Sequence, residues 1–330
     1  MSLAPLLFLR LMADRALNPG AVELHAGKGD LSALTALFEG ENFAAFSESF
    51  PCFFGTDLEE RSSPELLQSL QNLGCHFIKA QVTHHSDEHT KPALPPTAEW
   101  LIGNWYLAQP AKPSGTQTAS RALSLKLLQQ VATDADTFEI EAIFRQEPTL
   151  AYHLLRLVNS LGTGVGRHIS SFSQAILILG RQQLKRWLNL MLFAANHNDY
   201  RSAMLLARVT IRARSMELLA SAIGLDRTQQ EQAFMIGMFS LLGTLFGMPL
   251  PEILNPLKLD DSLSKAVLQR EGVLGSLLRA VEYAEQANDE GLTEQLAGLP
   301  LSSAEFNEIN TEAHRWMLDV IHDKRDAVDA

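Results

Sequence analysis

The chain has 330 residues, of which 46% are hydrophobic and 20% charged, and its formal net charge is −11. This is the composition of a globular protein that is long enough for two domains, each with its own hydrophobic core. The acidic balance argues against a nucleic-acid partner and against attraction to an anionic membrane, because both contacts need clustered Lys and Arg.

The first 113 residues are predicted to form a small α/β region. Strands are expected at residues 6–12, 22–25, 77–82 and 100–107, and a helix over residues 63–73. A helix that leads into a strand is typical of α/β units. The short apolar run at the start has no positive charge before it and no cleavage site after it, so we predict a cytoplasmic protein.

A proline-flanked loop over residues 84–96 contains the densest group of potential metal ligands. These residues are His84, His85, Asp87, Glu88 and His89. Neighbouring side chains of a loop seldom converge on one ion, so a solvated loop is predicted rather than a metal site. The two cysteines, Cys52 and Cys75, cannot form a disulfide framework or a four-thiolate zinc site. We therefore expect no metal and no cofactor.

Residues 110–120 are rich in proline, glycine and small polar residues, which predicts a linker. We divide the chain there into a region of residues 1–113 and a helical domain of residues 114–330. Apolar residues then recur at helical spacing almost to the end of the chain. This spacing predicts helices over residues 123–131, 140–144, 183–195, 208–223, 229–246, 262–270, 273–286 and 307–327. The fold class expected is α+β, a small α/β region followed by an all-α domain.

Residues 232–251 contain no charged side chain and are about as long as a membrane span. Gly237, Gly243 and Gly247 are spread through the segment, and Pro249 and Pro251 end it. An uncharged helix fits equally well at the centre of an all-α domain. We predict such a central helix and no membrane insertion.

Several segments in order resemble the HDOD domain, the branch of the HD phosphohydrolase superfamily regarded as non-catalytic. They are Ile143 with QEPTL (146–150), LLRLVNS (154–160), ISSFSQAILILG (169–180), Leu184 and Trp187. The resemblance extends from residue 139 to about residue 284. It implies an all-α domain with the helical framework of the HD superfamily.

The metal-binding helix of catalytic HD proteins has a His-Asp pair between a small apolar run and a glycine. In this chain the corresponding segment is Gly237-Met238-Phe239, followed by Ser240 and Leu241. A further metal-binding histidine of that family corresponds to Arg208, and neither guanidinium nor aliphatic groups bind metal ions. The resemblance thus implies a domain without metal and without enzymatic activity. Ser240 has no His-Asp partner, and we expect its hydroxyl to donate to a backbone carbonyl.

Further segments resemble bacterial proteins in which an EAL-type phosphodiesterase domain precedes the HDOD domain. They are RWLNLMLF (186–193), RARSMELLA (212–220), AFMIGMFSLL (233–242) and GNWYLAQP (103–110). The last of these is similar to the final strand of EAL domains, with Gly103 where that family has glutamine. Only about 113 residues precede the linker, and no Glu-Ala-Leu occurs. The resemblance implies a shortened, degenerate EAL-like region.

Two groups of polar side chains are candidates for contact with partners. Arg156 and Asn159 share one helix face, but a helix cap by Asn159 and an ion pair of Arg156 are favoured over an interaction surface. Arg181, Lys185 and Arg186 lie at helical spacing. The acidic chain favours a solvated face or internal ion pairs over DNA binding for this second group.

The function expected from these resemblances is a non-catalytic signal-transduction module, linked to cyclic di-GMP signalling, that acts through protein–protein interaction. Its expected partners are other signalling proteins, and a second copy of the chain is a candidate partner. The alternative is a receptor that binds cyclic di-GMP without hydrolysing it. Arg10, Trp100 and Trp105 could then stack on guanine bases.

Overall fold

The computed structural model describes residues 4–88, 90–110, 126, 129, 186, 199–257 and 259–321. A six-stranded sheet with short helices is followed by a set of longer helices, so the predicted α+β class is confirmed. The predicted division at residues 113 and 114 lies outside the described residues and stays a prediction.

The sheet has the strand order β4-β3-β2-β1-β6-β5. Its strands are β1 (Leu7–Ala13), β2 (Pro19–Ala26), β3 (Cys52–Phe54), β4 (His76–Phe77), β5 (Thr83–His85) and β6 (Trp100–Ile102). β1 is antiparallel to β2 along its whole length but meets β6 only at Ala13 and Leu101. The pairs β2–β3, β3–β4 and β5–β6 are parallel. The other edge of β1 is therefore open to a different partner.

The helices of the first region are α1 (Thr35–Phe38), α2 (Glu41–Ser49), α3 (Thr56–Arg61) and α4 (Pro64–Asn72). Ser63 caps α4 by accepting from Leu66 N at 3.2 Å, and Pro64 occupies the first turn. This confirms the helix predicted over residues 63–73.

The second region contains eight described helices. They are α5 (Ser202–Ala222), α6 (Arg227–Phe239), α7 (Leu242–Phe246), α8 (Leu250–Leu254), α9 (Asp261–Gln269), α10 (Gly272–Glu285), α11 (Asp289–Ala297) and α12 (Ser303–Ile321). α5 is buried on almost every side, as expected for a central helix. A Cβ atom at Gly237 would lie 2.7 Å from the Cα atom of Ala213, so glycine permits α6 to cross α5 closely.

Three predicted elements are interrupted. The strand expected over residues 77–82 ends at Phe77, and a 3₁₀ turn follows at Ala80–Val82. The helix expected over residues 229–246 breaks at Ser240 and Leu241, so that α6 and α7 are separate. The strand expected over residues 100–107 ends at Ile102, because Gly103 has φ +124°, and a 3₁₀ turn follows at Trp105–Leu107. Among the described helices, no single one is long and apolar enough to span a membrane. A pair that passes by length and composition, Arg227–Phe246 with Leu250–Leu257, is bent by 116°.

α12 lies along the edge of β1 that no strand covers. Asn307 accepts from Leu7 N at 2.8 Å and donates to Pro5 O at 2.9 Å. Asn310 donates to Leu7 O at 3.1 Å. Buried backbone groups need partners, and these amides supply them where a neighbouring strand would otherwise do so. The helical region is thereby fixed to the sheet.

Candidate functional site

Five polar side chains meet in the interior where α5, α6, α10 and the turn after β6 converge. We call them the buried charge cluster: Tyr106, Arg208, Arg212, Ser240 and Glu285. Both arginines project from α5 and are four residues apart, so they share one helix face. The cluster thus joins residues from both regions of the chain.

Arg212 is the most fully paired member of the cluster. Its Nε and Nη2 atoms donate to the two carboxylate oxygens of Glu285 at 2.8 and 2.5 Å, and Nη1 donates to Ser240 Oγ at 2.8 Å. A carboxylate oxygen of Glu282, one turn before Glu285 on α10, lies 3.8 Å from Nη1 of Arg212. Only 5% of Arg212 is exposed, so its charge depends on these partners.

Arg208 links the helical region to the α/β region. Its Nε and Nη2 atoms donate to the hydroxyl oxygen of Tyr106 at 2.8 and 2.5 Å, and its Nη1 atom lies 3.9 Å from Glu285. Tyr106 is 1% exposed and belongs to the 3₁₀ turn after β6. Because Arg208 and Tyr106 share these hydrogen bonds, a displacement of one residue also affects the other.

The pKa of Glu285 is lower than its ordinary value. Burial by itself would raise it, but the guanidinium groups of Arg212 and Arg208 stabilise the carboxylate and outweigh the effect of burial. The glutamate is therefore ionised at neutral pH and offsets part of the charge of the two arginines.

His314 lies on α12 beside the cluster and is neutral at neutral pH. Burial, with a smaller contribution from Arg208, lowers its pKa from 6.5 to about 4, although hydrogen bonds to the backbone of Asn310 and Leu9 act in the opposite direction. Its Nδ1 atom donates to Asn310 O at 2.8 Å, and its ring packs against Phe46 of α2.

The three positions that the sequence resemblance matches to metal ligands of the HD family lie in or beside this cluster. Arg208 and Ser240 are members, and Leu241 is 4% exposed at the break between α6 and α7. Ser240 Oγ donates to Gly237 O at 2.6 Å, which confirms the expected bond to a backbone carbonyl. No group of three or more His, Cys, Asp or Glu that could hold a metal is found among the described residues.

Of the predicted interaction residues, Arg156, Asn159, Arg181 and Lys185 lie outside the described residues. Arg186 is described and forms an ion pair with Glu217, and its guanidinium lies 4.4 Å from the ring centroid of Phe234. Of the two alternatives for Arg186, a solvated face or an internal ion pair, the structure shows the ion pair.

Gly103 has a structural role in the turn after β6. A Cβ atom there would lie 2.1 Å from Ser86 O, and the positive φ favours glycine. Asp87, from the loop with several histidines, accepts from Asn104 N at 2.7 Å. Asp87, a member of the group for which a solvated loop was predicted rather than a metal site, is thus engaged in holding the turn. His84 and His85 belong to β5, and His89 lies outside the described residues.

One of the aromatic residues suggested for base stacking is already stacked inside the protein. Trp105 has no exposed surface, and its ring lies parallel to that of Tyr200 with the centroids 5.9 Å apart. Trp100 is partly buried and packs against Phe53. The expectation that Trp105 could stack on a guanine base is not compatible with its burial.

Arg10 is partly exposed on a polar face of the sheet. Its side chain is 35% exposed and lies 3.6 Å from Glu23 on β2. His25, Asp57 and Arg61 are close enough to affect one another, and burial, followed by Arg10, lowers the pKa of His25. We call Arg10, Glu23, His25, Asp57 and Arg61 the polar sheet face.

Sequence could have revealed only part of the buried charge cluster. Arg208 and Arg212 are four residues apart in α5, a helix that is mostly apolar, and this spacing is a signal of buried, paired charge. Glu285 and Tyr106 carry no such signal, because they follow or precede their arginine partners by 73 and 102 residues.

Comparison with known proteins finds a family match in the second region of the chain. Residues 120–257 match the protein family described as HDOD domain. Over 200 residues the chain is 30% identical to the Vibrio cholerae protein named Cyclic di-GMP phosphodiesterase CdgJ, which covers 60% of this chain and 46% of that protein. Over 220 residues it is 27% identical to Uncharacterized protein YuxH of Bacillus subtilis, which covers 66% of this chain and 53% of that protein. The chain spans about half the length of these curated relatives.

A crystal structure of an HDOD domain protein with unknown function from Geobacter sulfurreducens is also similar. It is 14% identical, covers 64% of this chain and 93% of that chain, and gives a TM-score of 0.38. A similarity at this level carries no argument about fold or function.

The prediction that the chain is not an enzyme is contradicted by the comparison with CdgJ, since a relative 30% identical over 200 residues is named a phosphodiesterase. The loss of ligands on α5 and α6 concerns one pair of helices only, and catalytic groups can lie elsewhere in a chain. The finer prediction of an EAL-like first region has no support from the comparisons, and the structure has a small α/β region there. The chain contains an HDOD domain.

Proposed function

We propose that this chain works in cyclic di-GMP signalling and that its HDOD domain acts through contacts with other signalling proteins. The observation that carries the proposal is the 30% identity to a protein named for its action on cyclic di-GMP, together with the HDOD match over residues 120–257. A second copy of the chain is included among the proposed partners.

The buried charge cluster supports a role in signal transmission. Tyr106 of the α/β region and Arg208 of the helical region share a buried hydrogen bond, and Glu285 is shared by both arginines of α5. An event that displaces the turn after β6 would remove the hydroxyl oxygen that accepts both hydrogen bonds from the buried guanidinium of Arg208. Such a displacement would be transmitted to α5 and α10 because buried charges need compensation.

The test is the cyclic di-GMP concentration in a bacterial host that expresses the full chain, measured by mass spectrometry of cell extracts. We expect the concentration to change relative to a host with the same vector and no insert. Hydrolysis of cyclic di-GMP by the purified chain is measured in parallel. A change in cells without hydrolysis in vitro supports action through partners, and an unchanged concentration with abundant folded protein contradicts the proposal.

The second candidate function is direct action on cyclic di-GMP, as ligand or as substrate. The name of the Vibrio cholerae relative favours it, and the polar sheet face offers Arg10 as a partly exposed cation next to the partly buried carboxylate of Glu23. Arginine pairs well with phosphate oxygens.

For this candidate we predict that cyclic di-GMP raises the melting temperature of the full chain and that Arg10→Ala weakens binding about tenfold. The exposed residue Lys79 provides a matched control, because Lys79→Ala removes the same charge away from the polar sheet face. Titration calorimetry measures both variants. Equal affinities for the two variants would exclude the polar sheet face as the binding site, and hydrolysis in the same sample would identify a substrate.

A further inference from the structure

The two cysteines of the chain lie side by side on neighbouring strands. Cys52 begins β3 and Cys75 directly precedes β4, and these parallel strands pair Phe53 with His76. Cys52 and Cys75 each precede this pair by one residue, so they lie opposite each other. Because side chains alternate between the two faces of a sheet, the side chains of paired residues point to the same face. Neighbouring strands are about 4.8 Å apart, within the range of Cα separations that disulfides span.

Both thiols are buried in the main hydrophobic core. Their residues are 1% and 0% exposed, and Cys52 Sγ donates to Phe50 O at 3.3 Å. A hydrogen bond with Cys75, followed by burial, raises the pKa of the Cys52 thiol. The two side chains are therefore in contact, the Cys52 thiol is protonated at neutral pH, and reaction of the buried pair with an oxidant needs a local opening.

β4 is the element that can open most readily. It has two residues, lies at the end of the sheet, and both of its side chains are exposed. Gly74, with φ +76° and open space where a Cβ atom would lie, precedes Cys75 and allows the chain to pivot. Short edge elements with few buried contacts open at low cost in free energy.

We propose that Cys52 and Cys75 are a thiol oxidation site, in which transient opening of β4 lets a low-molecular-weight disulfide convert the pair to an intramolecular disulfide. The thiolate of one cysteine attacks glutathione disulfide, forms a mixed disulfide and releases one glutathione thiolate. The second cysteine then attacks the protein sulfur of the mixed disulfide and releases the other glutathione. Two thiols lose two electrons and two protons, and one glutathione disulfide becomes two glutathione molecules. The new bond fixes β4 to β3 and closes the loop that contains α3 and α4.

The experiment exposes the folded full chain to glutathione disulfide and measures the intact mass. The chain has two cysteines, so a monomer that has lost two hydrogen atoms contains this disulfide. We expect this product, and a melting temperature roughly 5 °C above that of the reduced chain. Cys52→Ala and Cys75→Ala are the matched controls, and neither should gain thermal stability in the oxidant. The denatured chain serves as a control for the activity of the oxidant.

The variant Phe77→Ala tests the step in which β4 opens. Phe77 packs edge-on against Phe54 with the ring centroids 6.1 Å apart, so Phe77→Ala should loosen β4 and accelerate oxidation roughly fivefold. The proposal is overturned if the folded chain keeps both thiols while the denatured chain is oxidised, or if the product is a disulfide-linked dimer. An unchanged rate in Phe77→Ala would overturn opening of β4 as the route.

Discussion

Single residues of this protein place full charges in an interior that is otherwise apolar. Arg208 and Arg212 are buried and the Glu285 side chain is 11% exposed, and their mutual contacts provide the compensation that water would give at the surface. Removal of one charge leaves the others uncompensated, so the cost of a substitution here exceeds the value of the contact that is lost.

We predict that Glu285→Gln lowers the free energy of unfolding by about 3 kcal/mol, because the two buried guanidinium groups lose the carboxylate that they share and only Glu282, 3.8 Å from Arg212, remains nearby. Urea denaturation of the full chain measures the change. Glu290→Gln is the matched control, since this exposed glutamate forms a surface ion pair with Lys28. Equal denaturation midpoints for the two variants would contradict the assignment of Glu285 as the central counter-charge.

His314 makes stability depend on pH in a defined window. Its pKa is about 4 in the folded protein and about 6.5 in an unfolded chain, so the unfolded state binds more protons between these values. The stabilising contribution is complete above pH 6.5 and is lost as the pH falls toward 4. The loss amounts to about 3 kcal/mol.

The measurement is the free energy of unfolding of the full chain and of His314→Gln across that window. The groups that face the imidazole, among them Arg208, Glu285 and Phe46, are present in both proteins. We expect a smaller decrease on acidification in His314→Gln than in the unsubstituted chain. Parallel curves would show that His314 does not titrate with a lowered pKa.

At the scale of elements, α12 replaces a missing strand beside β1. Asn307 supplies an acceptor to Leu7 and a donor to Pro5, and it is 1% exposed. Hydrogen bonds of this kind satisfy backbone groups that folding has removed from water. The junction of sheet and helices therefore depends on side-chain amides as well as on apolar packing.

We predict that Asn307→Ala lowers the free energy of unfolding by about 2 kcal/mol, because two buried backbone groups lose their partner. Hydrogen exchange of the Leu7 amide should become faster in this variant. Arg315→Ala, at an exposed position of α12, is the control. Unchanged protection of Leu7 would mean that Asn307 does not hold the edge of β1.

Periodicity in the sequence predicted most of the described helices of the second region, since apolar residues recur there at helical spacing. It did not predict the break between α6 and α7, because residues 232–251 contain no charged residue that would mark a boundary. It also extended β6 too far, since the positive φ of Gly103 is a property of its contact with Ser86. Local patterns predict elements, whereas tertiary contacts decide where these elements stop.

Considered as a whole, the molecule joins a sheet region and a helical region through several buried contacts. Arg201, which has no exposed surface, binds Asp199 and also donates to the carbonyl oxygens of Ala108 and Thr244. The sequence predicted the α+β class and the HDOD domain, which rest on composition and on ordered motifs. It led to the wrong conclusion on enzymatic activity, because missing ligands at Ser240 and Leu241 are informative about that position alone.

The cyclic di-GMP concentration in cells that express the full chain is the most direct measurement of the proposed function. We predict a reproducible change relative to the empty vector, and a smaller change for Glu285→Gln in proportion to the folded protein that remains. An unchanged concentration in cells that contain abundant folded chain would contradict a role in cyclic di-GMP signalling.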